Sequence, residues 1–374
     1  MSHEVHVGVF RHTLFLPSEP FIPLQAQALP AQVTYLARDA IVDPPNAIEA
    51  ATIAESGSLA TVRHTLGDPG PLTELLRQVA PDIVHAHFGV EGVAAAGAAR
   101  RTNLPLVTTL HGYDATLSAN ALLRARKINW ARYALARRRF LRESDHLIAV
   151  SHHIARRAIE HGAREEAITV LYTGVDTQAF APAPLPETPT VLHVARLVEK
   201  KGTSDLLTAF ATVLRTVPDA RLRVIGDGPL RPALTAQAHA LGIAGAVTFE
   251  GVQPHSTVRE AMKQTTLLCQ PSVTARTGDQ EGLGQVALEA AATARPVVAT
   301  RHGGLSEAVS DGATGVLVDE HDTAALASAI GAILADPAQA AALGDAGRTW
   351  TERHFDAAAN AADVERLYRS ILSR

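Results

Sequence analysis

Residues 280–296, QEGLGQVALEAAATARP, decide how this chain is read. An apolar run at 266–273 leads into a polar loop. After Glu281-Gly282-Leu283-Gly284 an Ala-rich segment without Gly or Pro continues to Arg295. That order predicts strand, loop and helix. Gly282 and Gly284 would let a phosphate approach the backbone N–H groups of the helix N-terminus, where the positive end of the dipole favours an anion. Glu281 and Glu289 stand eight positions apart, roughly 12 Å along a helix, which is similar to the reach of a nucleoside diphosphate from its ribose to its sugar. Two carboxylates beside a diphosphate would repel it, so they suit hydroxyls at its two ends. The competing reading is structural: a capping Glu281 and a solvated Glu289.

At 374 residues the chain is too long for one ordinary domain and suits two of about 180. A hydrophobic content of 47% with 19% charged residues belongs to a core-forming protein, not a disordered one. The net charge of -4 gives no general case for nucleic acid. The single cysteine, Cys269, lies in an apolar strand pattern; it permits no intrachain disulfide, which fits a reducing compartment. The start, MSHEVHVGVF, lacks the parts of a signal peptide, and no window reaches the roughly 18 apolar residues of a membrane span. The expectation is a cytoplasmic protein.

Residues 5–10 alternate as a short strand. Residues 11–23 follow as a loop, because Pro17, Pro20 and Pro23 argue against a regular helix. Residues 82–88, DIVHAHF, predict a buried strand ending in a helix start; their two histidines lack a third ligand at a convincing spacing for a metal. Residues 104–110 form another strand, with His111-Gly112-Tyr113-Asp114 at its C-terminal end, where open α/β sheets place their ligands. Asp114 could instead cap a helix, and His111 could be a core histidine. Residues 120–142 predict one long helix carrying Arg124, Arg126, Lys127, Arg132, Arg137, Arg138, Arg139 and Arg142 among Trp130, Tyr133 and Phe140. Such a helix could rest on anionic lipid, or present a solvated face backed by packed aromatics.

Strands at 146–150 and 168–172 close this half. Residues 181–189, with four prolines, form a stiff linker. Beyond it, strands at 190–194, 221–225, 247–249, 266–270, 296–300 and 315–318 alternate with helices, a second doubly wound parallel sheet. Arg196 and Lys201, after a strand and before a helix, can neutralise a diphosphate, the first as a bidentate fork and the second as a point charge.

Glu281, seven residues and then Glu289 resembles family 4 of the retaining glycosyltransferases, and further motifs follow in the family's order. His111-Gly112-Tyr113-Asp114 is similar to its His-Gly-x-Asp, Gly303-Gly304-Leu305-Ser306-Glu307 to its Gly-Gly-x-x-Glu, and the Arg196 and Lys201 pair and Gly226-Asp227-Gly228-Pro229 also match. Ser18-Glu19-Pro20-Phe21-Ile22 resembles its Ser-Glu-Thr-Phe-Ile, with proline in place of threonine. The resemblance implies an α/β protein of GT-B fold, two Rossmann-like doubly wound parallel-sheet domains facing a cleft. The expected bounds are 1–180 and 190–355, with 356–374 a terminal helix crossing back to the first domain. It implies transfer of a sugar from a nucleoside diphosphate sugar, UDP favoured over GDP by family frequency, to a hydroxyl acceptor with retention.

By the same resemblance His111, Glu281, Arg196 and Lys201 are catalytic. Arg196, Lys201, Gly226, Val252, Gly282, Leu283, Gly284 and Glu289 bind the donor, and Glu19 and Asp114 lie on the acceptor side. No cofactor is implied. No Asp-x-Asp pair occurs, so a metal-independent reaction is expected. The acceptor is a glycan, a lipid-linked sugar or a natural product. The rival readings are a sugar-nucleotide epimerase or hydrolase on the same fold, and a non-catalytic sugar-nucleotide-binding partner protein.

Overall fold

In the computed structural model, which describes residues 4–16, 18–41 and 49–373, the chain divides into two units. One comprises residues 1–174 and 357–374, the other residues 175–356. The proline-rich residues 181–189 thus lie inside the second unit.

The first unit is a sheet of β1 (His6–Arg11), β2 (Gln32–Ala37), β3 (Glu49–Thr52), β4 (Ile83–His87), β5 (Leu106–Leu110), β6 (His146–Ala149) and β7 (Ile168–Val170). All neighbours pair in parallel, in the order β3-β2-β1-β4-β5-β6-β7. Parallel strands need crossovers, so helices cover both faces and the strands are apolar on both. β1 shows the alternation. Val7 and Val9 enter one cluster with Ile22, Ile83, Val107 and Ile148, whereas Phe10 enters the other with Leu36, Leu72, Leu76 and Val84. The terminal helix, Ala357–Leu372, adds Ala361, Val364, Tyr368 and Ile371 to the first of these clusters.

Three features differ from the expectation. β2 and β3 are additional strands; β3, EAAT, is a weak strand former held at the sheet edge by its pairing to β2. A helix, Phe21–Ala28, takes Pro23 into its first turn, where the missing N–H has no intrahelical partner to lose. Pro17 lies outside the described residues. The basic stretch is two helices, Ala119–Arg124 and Ile128–Glu143, broken where Arg126 adopts a φ of 56°.

The second unit contains β8 (Thr190–Val194), β9 (Arg221–Ile225), β10 (Val247–Gly251), β11 (Leu267–Gln270), β12 (Val297–Thr300) and β13 (Gly315–Val318), again all parallel, in the order β10-β9-β8-β11-β12-β13. In each sheet the order reverses once, between β1 and β4 and between β8 and β11. Ligands of open α/β sheets bind beyond the strand C-termini at such points. The loops after β8 and β11 carry Arg196, Lys201 and Glu281.

Candidate active site

In the second unit His193 on β8 sets the geometry of the loop that follows. It is fully buried; its Nδ1 donates to the Cys269 carbonyl on β11 at 2.9 Å, which leaves Nε2 to accept from Thr203 Oγ1 at 3.0 Å. Burial lowers its pKa to about 4, so it stays neutral and holds this pattern. Between these anchors lie Arg196 and Lys201. Arg196 is exposed, with no ion pair among the described residues. Lys201 Nζ meets Glu281 Oε2 at 2.6 Å, and Lys200 Nζ meets Asp279 Oδ1 at 3.0 Å. Burial works to raise the Glu281 pKa, but the charges of Lys201 and Lys200 outweigh it and bring the carboxyl to about 2.

The helix after this loop is Gln285–Ala292, shorter than expected, with Gly284 as its N-cap at a φ of 94°. No side chain caps it, and the positive end of its dipole faces the loop that carries Glu281. Gly282, Leu283 and Gly284 are buried beside it. Glu281 precedes the helix and does not cap it, so the two glutamates are not related by helical rise. Nor is Glu289 solvated. It is 4% exposed, and its Oε1 lies 3.0 Å from His255 Nε2. The hydrogen bond to Glu289 raises the His255 pKa against the effect of burial.

On the opposite side of β8, Gly226 follows β9 at a φ of 124° and donates to the Gly251 carbonyl at 2.7 Å. Val252 follows at 67% exposure, an open apolar surface.

In the first unit His111 follows β5. Its Nε2 lies 3.0 Å from His87 Nδ1, and its ring packs against Phe21 and Phe88 at centroid distances of 4.8 and 4.5 Å. Burial, with the nearby His85 and Arg11, holds its pKa well below the usual histidine value. His85 is itself tied to Thr109 Oγ1 at 2.6 Å and to Tyr368 of the terminal helix. Asp114 is fully buried, and its carboxylate accepts from the N–H groups of Gly89 (2.9 Å), Gly112 (2.8 Å) and His111 (3.1 Å). It holds the loop and, from its own place in the first turn of the Tyr113–Thr116 helix, satisfies the first N–H of the Gly89–Thr102 helix. Glu19 forms a double hydrogen bond with Arg11, at 2.8 and 3.0 Å. Arg11 also pairs with the buried Glu91 and lies 4.4 Å above the Phe88 ring.

Much of the basic stretch serves the fold. Arg137 is buried and donates to the Leu117 carbonyl, Arg132 donates to the carbonyls of His64 and Thr65, and Trp130 stacks on Tyr113 at 4.9 Å. No single helix among the described residues is long and apolar enough to cross a membrane. Among them, too, no three His, Cys, Asp or Glu side chains are grouped to hold a metal ion.

Residues 175–350 match the family described as "Glycosyl transferases group 1", and residues 21–179 match "Glycosyltransferase Family 4". A GDP-mannose-dependent alpha-(1-6)-phosphatidylinositol monomannoside mannosyltransferase of Mycobacterium tuberculosis is 31% identical over 79% of this chain and 80% of its own length. The chain belongs to glycosyltransferase family 4. A protein of the same name from Mycolicibacterium smegmatis is 35% identical over 66% of this chain, and a D-inositol 3-phosphate glycosyltransferase of Nocardia farcinica is 34% identical over 70%. The matches span 65% and 62% of those two relatives. Among solved structures, sucrose-phosphate synthase from Thermosynechococcus elongatus superposes with a TM-score of 0.80 at 22% identity, covering 99% of this chain and 100% of that one. Anabaena Alr3699/HepE with UDP and glucose gives 0.78 at 22%, covering 98% and 100%. The fold is GT-B.

Within this family 4 chain, several side chains at the site escaped the sequence reading. His87 carries a signal, its place at the end of the DIVHAH strand two residues after His85, but a histidine pair at that spacing points first to a metal. Glu91 stands in the first turn of a helix, where acids are common for electrostatic reasons alone. His193 and His255 carry no local signal, because their partners lie 76 and 34 positions away.

Proposed function

We propose that this chain moves a sugar from a nucleoside diphosphate sugar to a hydroxyl acceptor with retention at the anomeric carbon. The observation that carries the reading is the Lys201–Glu281 pair beside the uncapped N-terminus of the Gln285–Ala292 helix, at the point where the strand order of the second sheet reverses. In this reading Arg196, exposed and unpaired among the described residues, and Lys201 receive the diphosphate together with the helix N-terminus. Lys201 then shares its charge between phosphate and Glu281, and Glu281 accepts from hydroxyls of the sugar. Glu289 accepts from the ribose, Gly226 shapes the turn beside the nucleotide, and Val252 lies against the base. His111, held neutral, supports the electron-poor sugar through its dipole and a hydrogen bond, in the role the family resemblance gives it. The departing phosphate takes the acceptor's proton, and no metal enters.

Two of the named relatives are GDP-mannose-dependent by name, and a structural neighbour holds UDP, so both nucleotides belong in the test. A thermal-shift panel of UDP- and GDP-sugars identifies the donor: a ligand at a hundred times its Kd adds about 2.7 kcal/mol. Turnover is then assayed with lipid-linked, glycan and polyol acceptors. Sugar transfer to an acceptor supports the reading. A new epimer or free sugar formed without acceptor, or tight binding without turnover, replaces it by one of the rivals.

Peripheral contact with an anionic membrane is part of the same proposal. Arg124, Arg126, Lys127, Arg138, Arg139 and Arg142 are exposed, as are Leu123 (44%), Ile128 (53%) and Leu135 (80%). The expected outcome is co-sedimentation with anionic vesicles that exceeds that with neutral ones at low salt and declines as salt rises. Equal sedimentation with both would leave a solvated face.

A further inference from the structure

Glu281 reaches its place through a contact that no motif announces. Its backbone N–H donates to Nε2 of His302 at 3.1 Å, and its carbonyl accepts from the N–H of Gly304 at 3.2 Å. The loop after β12 therefore holds both polar groups of the Glu281 backbone. The approach is close: at Gly303, with a φ of 55°, a Cβ would lie 2.4 Å from the Glu281 carbonyl oxygen. His302 is 2% exposed, and its Nδ1 lies 2.7 Å from Glu320 Oε1. Because a backbone N–H can only donate, Nε2 must be the unprotonated nitrogen, and the ring proton sits on Nδ1, directed at Glu320. A carboxylate only accepts, so Glu320 selects this tautomer; the other would set N–H against N–H. Glu320 also accepts from the Thr274 N–H at 2.7 Å, at the far end of the loop that ends at Glu281.

We propose that His302 and Glu320 are positioning residues that hold the Glu281 carboxylate where it meets the donor sugar, with Glu320 fixing the His302 tautomer and His302 fixing the Glu281 peptide. The inference rests on the proposed role of Glu281 as acceptor for sugar hydroxyls. Neither residue touches the donor in this scheme. Its signature is therefore a loss of the affinity that the sugar adds, with the affinity for the nucleoside diphosphate kept.

The test is calorimetric titration of the full chain with UDP-glucose against UDP, and with GDP-mannose against GDP, using the pair that binds wild type. His302→Ala is expected to lower the ratio of sugar-nucleotide to nucleoside diphosphate affinity about tenfold while the nucleoside diphosphate alone binds within about twofold of wild type. Glu320→Ala should shift the ratio in the same direction. His302→Gln, whose amide can both accept from the Glu281 N–H and donate to Glu320, should recover part of the loss. Glu281→Ala sets the full loss, and adding His302→Ala to it should change nothing further. Should His302→Ala fail to fold by thermal melting, the partly exposed Glu320→Ala and the His302→Gln variant carry the same comparison. A ratio unchanged in the His302 and Glu320 variants but lowered in Glu281→Ala overturns the positioning role alone. A ratio unchanged in Glu281→Ala, or a wild type that binds neither nucleotide sugar, overturns the role of Glu281 and the positioning role with it.

Discussion

Burial, His85 and Arg11 keep the His111 imidazole neutral, and His87 engages its Nε2. The ring can therefore offer a sugar a dipole and one hydrogen bond through Nδ1, not a positive charge. Interactions of this kind count where charge develops, so His111→Ala is expected to reduce turnover by about a hundredfold with donor affinity nearly intact. Steady-state kinetics with calorimetry check this; normal turnover with lost donor affinity would make the motif a donor-binding one. Glu281 gives a prediction in pH. Its folded-state pKa of about 2 lies below the ordinary 4.5, because Lys201 and Lys200 outweigh burial. A depressed carboxyl pKa adds stability that is fully present above the unfolded value and is lost as pH falls through the folded one. The stability difference between wild type and Glu281→Gln is thus expected to be level above about pH 4.5 and to shrink toward about pH 2. Denaturant unfolding across that range measures it, and a difference that grew on acidification would contradict the pairing. Glu281 and Lys201 were each legible in the sequence as candidate donor-site residues. Their contact was not, since it joins positions 80 apart through the adjacency of β8 and β11.

Strands rich in β-branched residues and bounded by turns were legible in both halves, because a parallel sheet buries both faces and leaves continuous apolar runs. β3 was not, as its alanines favour no strand and only its neighbour β2 makes it one. The basic stretch has no Gly or Pro at its break, so its composition argued for one helix where Arg126 turns the chain into two. Arg295 shows how a loop residue can join elements. It is 1% exposed, and its guanidinium donates to the carbonyls of Met262 and Lys263, at the end of the His255–Lys263 helix, and of Pro184. Arg295→Met would take a donor from each of three carbonyls, that of Met262 keeping the Thr265 hydroxyl, while removing a buried charge, and it is expected to cost on the order of 3 kcal/mol of stability. Denaturant unfolding checks this, and a loss below about 0.5 kcal/mol, typical of a surface site, would contradict it.

Two units, each with its own parallel sheet and core, follow from a chain whose strand and helix pattern runs through twice. The terminal helix Ala357–Leu372 belongs to the first unit, where Tyr368 meets His85; a contact spanning 283 positions leaves no trace in local pattern. Likewise the spacing of Glu281 and Glu289 suggested a helical rise that the structure replaces: loop and helix, not helix alone, separate them. The central claim is that this stretch of the second unit binds a nucleotide sugar, with Glu289 on the ribose. Because the ribose does not change during reaction, that contact should act alike on ground and transition states. Titration calorimetry of UDP- and GDP-sugars against wild type and Glu289→Ala tests it most directly. One of the nucleotide sugars should bind wild type and lose about tenfold to a hundredfold in affinity in the variant, from hydroxyl contacts worth roughly 1.5 to 3 kcal/mol. A wild type that binds none of them, or equal affinities for wild type and Glu289→Ala, would contradict it.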